Sequence, residues 1–240
     1  MRTTSRAGIY HAAVASSATD GATDALAESI RDWVRKEFDE SAGEALGEGY
    51  QATVRLVRTP HGQFVIKCPH AEKLLGRFAG ASIVREHAVY ERLAGIGGIP
   101  RCYGLVDGRY LVLEHIEGKS YRDLQYDLAD RERYFEALLE TLKAMHAAGV
   151  AHGDLKRKDN LLVGPGESPY IIDFGIACIR KEQAGFANRV WFDWLKQIDY
   201  NAWLKLKYRR ALETMSPADR KLYRPLAIER VARWLRGRAG

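Results

Sequence analysis

The first hundred or so residues carry mainly the hydrophobic pattern of β-strands. Short runs of apolar and β-branched residues are bounded there by glycine and proline turns, and a turn at Thr59–Gly62 joins two of the runs into a hairpin. The predicted strands are Thr53–Val57, Phe64–Lys67, Cys102–Val106 and Tyr110–Glu114. A helix is predicted around Ser82–Leu93, so this part of the chain should form a small sheet with one helix.

A further helix is predicted ahead of these strands, where apolar residues recur at the three-and-four spacing of one helical face. Thr23 or Asp24 would cap it, and it would run to about Phe38 and pack on the domain that follows. Its apolar face consists of Leu26, Ile30, Trp33 and Val34.

After Gly118 the helical period dominates. Asp130 is placed to cap a helix to about Ala147. The buried stripe of that helix is predicted to be Phe135, Leu138, Leu142 and Met145. Two short strands, Leu161–Val163 and Tyr170–Ile172, flank a glycine-proline turn, and helices resume near Arg189. The sequence therefore predicts an α+β protein with domains at residues 1–42, 43–116 and 117–240, the first being an extension with one helix.

Composition excludes several classes of protein. With 240 residues and 46% apolar residues the chain is long enough for a packed core, and no apolar run of about 20 residues predicts a membrane-spanning helix. The three cysteines lack the spacing of a metal site or a disulfide framework, which favours free thiols in the cytoplasm.

The net charge of +6 is concentrated toward the carboxyl end. Residues 205–238 alone carry +8, from eleven basic and three acidic side chains. Such a stretch suits an anionic lipid or a phosphorylated glycan, although a solvated helical face explains it equally well, and nucleic acid is not the expected partner.

Four short motifs carry candidate chemistry. The first is a glycine-rich turn between strands, whose backbone amides are suited to cover phosphates; its residues are Gly47, Gly49, Ala52 and Val54. The second is Lys67 at the end of a strand, for which Glu86 on the following helix supplies a neutralising carboxylate. Alone, each of these is commonly a plain turn or a surface residue.

The third motif is His152-Gly153-Asp154-Leu155-Lys156, followed by Asn160 and a strand. Asp154 would deprotonate an acceptor hydroxyl, Lys156 would neutralise a transferring phosphoryl group, and Asn160 would bind Mg²⁺. The fourth motif is Asp173-Phe174-Gly175, in which Asp173 would hold Mg²⁺ on the phosphates of ATP.

With these residues, in this order, the chain resembles the protein-kinase superfamily from about Gly43 to Ile176. The resemblance implies a two-lobed fold with a small β-rich lobe and a truncated, mostly helical lobe, and it implies ATP and Mg²⁺ as cofactors. It also implies that Leu113 is the gatekeeper and that the backbone of Glu114 to Ile116 binds adenine.

Three departures from the family pattern bear on metal binding and substrate. Gly153 replaces the arginine that many protein kinases use to sense a phosphorylated activation loop. No Ala-Pro-Glu element follows Gly175, and 65 residues remain after it. Asn160 lies six residues after Asp154 where five is usual, so Asp159 is an alternative metal ligand; Asn160 is favoured because a strand follows it directly.

The compact lobe and the basic, tryptophan-bearing carboxyl-terminal part are similar to the lipopolysaccharide core kinases of bacteria, and Rio-type kinases are similar too. This similarity implies a heptose or Kdo sugar as acceptor, at the cytoplasmic face of the inner membrane. The tryptophans concerned are Trp191, Trp194, Trp203 and Trp234, each of which is otherwise expected in a core. The alternatives are a serine/threonine protein kinase and a pseudokinase scaffold.

Overall fold

The computed structural model describes residues 24–41, 43–48, 52–69, 76–181 and 185–225, with the backbone alone for 47, 48 and 76–81. Gly49, Trp234 and the arginines beyond residue 225 lie outside the described residues. The chain divides into two compact units, Met1–His87 with Cys102–His115 and Ala88–Arg101 with Ile116–Gly240. The domain boundaries expected after residues 42 and 116 stay predictions.

The first unit is built on a five-stranded antiparallel sheet with strand order β1-β2-β3-β5-β4. Its strands are β1 (Glu44–Glu48), β2 (Ala52–Thr59), β3 (Gly62–Pro69), β4 (Cys102–Val106) and β5 (Tyr110–Glu114). The four predicted strands are thus confirmed, whereas β1 was not predicted as a strand. Its glycine content suggested a turn, but backbone pairing with β2 extends the sheet by one strand.

Residues 24–37 form helix α1, which covers this sheet. Ile30 and Val34 are fully buried against sheet residues such as Phe64 and Ile66, so the predicted packing of the helix is confirmed. The Arg31 guanidinium also donates to the carbonyl of Tyr103 at 2.8 Å. Leu26 was expected on the buried face and is instead exposed, because it lies one turn before the contact with the sheet begins.

Helix α2 (Gly76–Arg92) covers the predicted Ser82–Leu93 segment up to Arg92 and begins earlier than predicted. In the second unit, helix α3 (Tyr121–Leu124) follows the short strand β6 (Lys119–Ser120). Helix α4 (Arg131–Ala147) begins after Asp130, whose side chain accepts from the backbone N–H of Arg133 as a predicted cap should. All four residues of its predicted stripe are buried.

The second unit continues with short strands and one long helix. The strands are β7 (Val150–Ala151), β8 (Leu161–Val163), β9 (Pro169–Ile171) and β10 (Cys178–Ile179). Strands β8 and β9 form a three-stranded sheet with β6, in the order β6-β8-β9, and β7 pairs with β10 in a two-stranded ribbon. Helix α5 (Phe186–Lys207) and the single turn α6 (Pro217–Arg220) follow, α5 beginning three residues before the predicted Arg189.

Aromatic side chains fill the core of the second unit. Trp203 of α5 is buried, lies edge-on to Phe135 of α4, and donates through its indole N–H to the Phe135 carbonyl at 2.9 Å. Tyr121 and Tyr134 stack beside them. A sheet in one unit and mostly helices in the other confirm the predicted α+β class. In the described part of the chain, no helix combines the length and the apolar character required to cross a bilayer.

Candidate active site

A buried ion pair lies in the first unit, where the sequence predicted a phosphate-binding lysine. Nζ of Lys67 on β3 is 2.6 Å from Oε1 of Glu86 on α2, and the two residues are 8% and 4% exposed. Burial of either charge alone would be costly, so each stabilises the other in this position. The pair fixes the ammonium group in a defined place, which is the requirement for binding a phosphate there.

The glycine-rich segment forms the strand pair beside Lys67. Gly47 lies opposite Val54 in the β1–β2 register, and Val54 lies opposite Lys67 in the β2–β3 register. Ala52 is the first residue of β2. Gly47, Val54 and Lys67 therefore lie side by side across three strands, and the backbone of this edge is the part available to cover a phosphate.

The residues predicted to bind adenine are at the end of β5 and just beyond it. Leu113 is buried opposite Val65, and Glu114 is paired with Phe64. Ile116 is buried in the second unit. Their contact with adenine stays a prediction.

The catalytic-loop motif lies directly after β7 in the second unit. The side chain of Asp154 is 17% exposed, and its carboxylate has Nζ of Lys156 at 3.9 Å and Nε of Arg157 at 4.0 Å. Both cations are well exposed to solvent, so these pairs contribute little to stability. They place two positive charges beside a carboxylate that has limited access to water, which suits a negatively charged phosphoryl group.

His152 holds the loop against the strand that leads to Asp173. Its Nδ1 accepts from the backbone N–H of Asp154 at 3.2 Å, so Nε2 carries the proton and donates to the Ile172 carbonyl at 3.0 Å. The imidazole is fully buried. Both ring nitrogens are thereby used to tie Asp154 to the segment that carries Asp173.

Asn160 and Asp159, the two alternative metal ligands, have different surroundings. Asn160 is buried, and its amide N–H donates to the Asp154 carbonyl at 3.0 Å, which fixes the amide group and orients Oδ1 as its acceptor atom. Asp159 is half-exposed and accepts two hydrogen bonds from Arg122 of α3, both 2.6 Å long. These hydrogen bonds from Arg122 hold the pKa of Asp159 below its usual value.

Asp173 lies next to Asn160 in the fold, because the backbone N–H of Ile172 donates to the Asn160 carbonyl at 3.0 Å. Asp173 has a φ of 66°, in the left-handed region that most residues avoid. The described residues contain no group of three or more histidine, cysteine, aspartate and glutamate side chains able to hold a metal. One carboxylate and one amide oxygen still fit Mg²⁺, which completes its shell with water and nucleotide phosphates.

Asp199 of α5 holds the catalytic loop and was not among the predicted site residues. It is fully buried, and its carboxylate accepts from the backbone N–H groups of His152 and Gly153, both at 2.8 Å. Nε2 of His146 on α4 lies 3.0 Å from the same carboxylate. A signal for it was present in the sequence, since Asp199 is the one acidic residue on the apolar stripe of Phe192, Leu195, Ala202 and Leu206.

Gly153 is suited to its position for two reasons. Its φ is +82°, and a Cβ atom there would lie 2.9 Å from Cδ2 of Leu195 on α5. A side chain at this position would be strained and would press on the helix that carries Asp199. The departure from the arginine-containing motif therefore matches the local backbone.

The family model of the protein kinase domain matches residues 41–194. Similar curated proteins include CBL-interacting protein kinase 21 of Oryza sativa, 29% identical over 151 residues that make up 59% of this chain and 28% of that protein. CBL-interacting serine/threonine-protein kinase 8 of Arabidopsis thaliana is 28% identical over 159 residues, 62% of this chain and 35% of that protein. Serine/threonine-protein kinase RAD53 of Saccharomyces cerevisiae is 28% identical over 179 residues, 68% of this chain and 21% of that protein.

The chain thus spans between a fifth and about a third of the length of these relatives. They are plant and yeast proteins, and they give no support to the similarity with bacterial lipopolysaccharide core kinases or to a bacterial source. The model match covers well over half of the chain and includes every motif described above. The chain belongs to the protein kinase domain family.

Proposed function

We propose that this chain transfers the γ-phosphoryl group of ATP to a serine or threonine hydroxyl of a protein. The observation that carries the proposal is the catalytic loop, in which the mostly buried carboxylate of Asp154 lies 3.9 Å from Nζ of Lys156. Relatives whose names include serine/threonine-protein kinase favour a protein hydroxyl over a sugar hydroxyl.

In this proposal Asp154 orients the acceptor hydroxyl and accepts its proton as the oxygen bonds to the γ-phosphorus. The bond from that phosphorus to the bridging oxygen breaks, and ADP leaves. Lys156 neutralises negative charge on the transferring group. Lys67, held by Glu86, binds the other phosphates, which are covered by the backbone of Gly47, Gly49, Ala52 and Val54.

Asn160 would hold Mg²⁺ through Oδ1, and Asp173 would hold it through a carboxylate oxygen. When bound, the ion supplies positive charge to the phosphate oxygens. The hydrogen bond from the Asn160 amide to the Asp154 carbonyl couples this ligand to the loop of the proposed base. Asp159 is the weaker alternative, because both of its oxygens already accept from Arg122.

A sugar hydroxyl, such as a heptose or Kdo of a lipopolysaccharide core, is the second candidate acceptor. It is favoured by the short connection between the Asp-Phe-Gly motif and α5, where only residues 176–185 lie between Gly175 and Phe186. Ten residues that also form β10 leave little chain for an extended peptide-binding segment, so a small acceptor fits this connection more easily.

The test is a transfer assay with ATP labelled at the γ-phosphate. The purified chain is incubated with labelled ATP and Mg²⁺ in two separate reactions, one containing casein and the other containing dephosphorylated core oligosaccharide. We expect label in casein, and we expect Asp154→Ala to lower the rate by at least about 100-fold, the low end of the contribution of a general base. ATP affinity should change little in this variant, because Asp154 is assigned to the acceptor.

Asp193→Asn is the matched control, since Asp193 is an exposed aspartate of the same unit and should leave the rate unchanged. Label in the oligosaccharide alone would replace the main proposal with the second candidate. ATP binding without transfer to either acceptor, and without ATP hydrolysis, would favour the pseudokinase scaffold.

A further inference from the structure

The amino-terminal half of α5 carries several large apolar side chains that are exposed to solvent. We name Phe186, Val190, Trp191 and Trp194 the α5 aromatic face. Phe186 is 81% exposed, and the other three are between 44% and 53% exposed. At 3.6 residues per turn, these positions and the exposed Ala187 occupy one continuous arc, while Phe192 and Leu195 on the opposite side are buried.

The exposure is a specific feature of this half of the helix. Trp203, in the second half of α5, is buried and hydrogen-bonded, as a core tryptophan should be. Trp191 and Trp194 stack on one another with ring centroids 4.9 Å apart, yet both remain about half exposed. Exposed large apolar residues that are contiguous, rather than scattered, mark a surface that binds something.

The charges around the α5 aromatic face are mainly positive. The exposed Arg189 lies in the same helical turns of α5 as the aromatic face. The backbone N–H of the exposed Lys181 donates to Oδ1 of Asn188, which fixes the backbone of this residue beside the first turn of α5. Asp193 is the only acidic residue in the first half of the helix.

The catalytic loop lies alongside the same half of α5. The Cβ position of Gly153 is 2.9 Å from Leu195, and Asp199 accepts from the loop's backbone. Lys156 and Arg157, which follow in the loop, are 77% and 60% exposed at their side chains. Exposed cations therefore lie both on α5 and on the loop next to it.

We propose that the α5 aromatic face binds the surface of a membrane that contains anionic lipids. Tryptophan and phenylalanine favour the interfacial region of a bilayer, and the exposed cations on α5 and on the adjacent loop attract anionic headgroups. The arc is the outer surface of a helix, which an extended peptide cannot enter as it enters a groove. This surface holds the catalytic loop near the bilayer whichever hydroxyl accepts the phosphoryl group.

The test is sedimentation of the full chain with vesicles of phosphatidylcholine and with vesicles in which part of this lipid is replaced by phosphatidylglycerol. We expect binding to the anionic vesicles and a blue shift of tryptophan emission on binding. Trp191→Gln with Trp194→Gln should lower the partition coefficient about tenfold or more, because the variant loses both interfacial aromatic groups. The matched control is Tyr126→Gln, which removes an exposed aromatic residue of the second unit that is not part of the α5 aromatic face and whose ring contacts Arg209, just beyond the carboxyl end of α5.

The Phe186→Ser variant provides a second measure that does not depend on the tryptophans, and circular dichroism checks that each variant is folded. Because every variant keeps the basic residues after Lys205, any binding by that segment is the same in all samples. Equal vesicle binding by the wild type and the double variant, or no binding by the wild type at low salt, would overturn the proposal. A dimer in solution that the double variant abolishes, without vesicle binding, would identify the face as a contact between proteins instead.

Discussion

Replacement of Asp199 by asparagine should destabilise the second unit and impair phosphoryl transfer, although Asp199 has no role in contacting substrate. Asparagine keeps the size of the side chain and one acceptor oxygen. It replaces the other oxygen with an NH₂ group, which would face either the backbone N–H of His152 or that of Gly153, both now 2.8 Å from a carboxylate oxygen.

The magnitude follows from the groups that lose their partner. One buried backbone N–H is left without an acceptor, at a cost of about 1–3 kcal/mol, and the remaining hydrogen bonds lose the strengthening of a charged acceptor. His146, 3.0 Å from the carboxylate, also loses a charged partner. We therefore expect Asp199→Asn to lower the free energy of unfolding by about 3 kcal/mol, a large share of the roughly 5–15 kcal/mol typical of a domain.

The measurement is urea denaturation together with steady-state kinetics. If Asp199 positions the loop, kcat should fall by about 100-fold in the variant that remains folded, since displacement of a catalytic group by about 1 Å has an effect of that size, while the Kd for ATP changes little. Asp193→Asn, an exposed change in the same helix, should stay within about 0.5 kcal/mol of the wild type. A loss below about 1 kcal/mol with unchanged kcat would refute the reasoning.

Two further predictions concern the metal site and acid stability. Asn160→Ala should raise the Mg²⁺ concentration needed for half-maximal rate more than Asp159→Ala does, because the Asp159 carboxylate already accepts hydrogen bonds from Arg122. The measurement is the rate as a function of Mg²⁺ concentration, and the opposite order of the two variants would assign the metal to Asp159. Burial acts to raise the pKa of Asp219, but hydrogen bonds from Tyr208 and Lys207 outweigh it and hold the pKa below the ordinary 3.8. A depressed pKa stabilises the fold above pH 3.8, and this contribution is lost as the pH falls through the pKa of the folded state. The difference in unfolding free energy between wild type and Asp219→Asn should therefore shrink between about pH 5 and pH 2. A difference that stays constant over this range would contradict the prediction.

Local signals in the sequence were sufficient for much of the fold. Helix α4 was predictable from both ends, because Asp130 caps its start and one apolar stripe continues to Met145. The strands β4 and β5 were predictable to the residue for a similar reason, since short apolar runs end in turn residues. The contact between Lys67 and Glu86 followed from the order of the motifs along the chain together with charge, because a buried ammonium needs a carboxylate.

Other features depend on contacts between distant parts of the chain, which no local pattern reports. Trp191, Trp194 and Trp203 share one helix, yet of these three only Trp203 is buried, where it packs against Phe135 of α4. The pairing of Arg122 with Asp159 joins residues 37 positions apart, and together with the burial of Asn160 it distinguishes the surroundings of Asp159 from those of Asn160. The spacing after Asp154 in the sequence left open which of the two residues binds the metal.

The same long-range contacts explain why a glycine stands in the catalytic loop. In a loop whose arginine senses phosphorylation, the backbone is positioned by a side chain that responds to a modification elsewhere. Here Leu195 lies where the side chain of residue 153 would be, and Asp199, one turn further along α5, accepts from the Gly153 N–H directly. Both contacts are made by buried residues on one stripe of α5. The loop is consequently positioned by the packing of the second unit, and glycine suits residue 153 because its φ of +82° strains any other residue and a Cβ atom would press on Leu195.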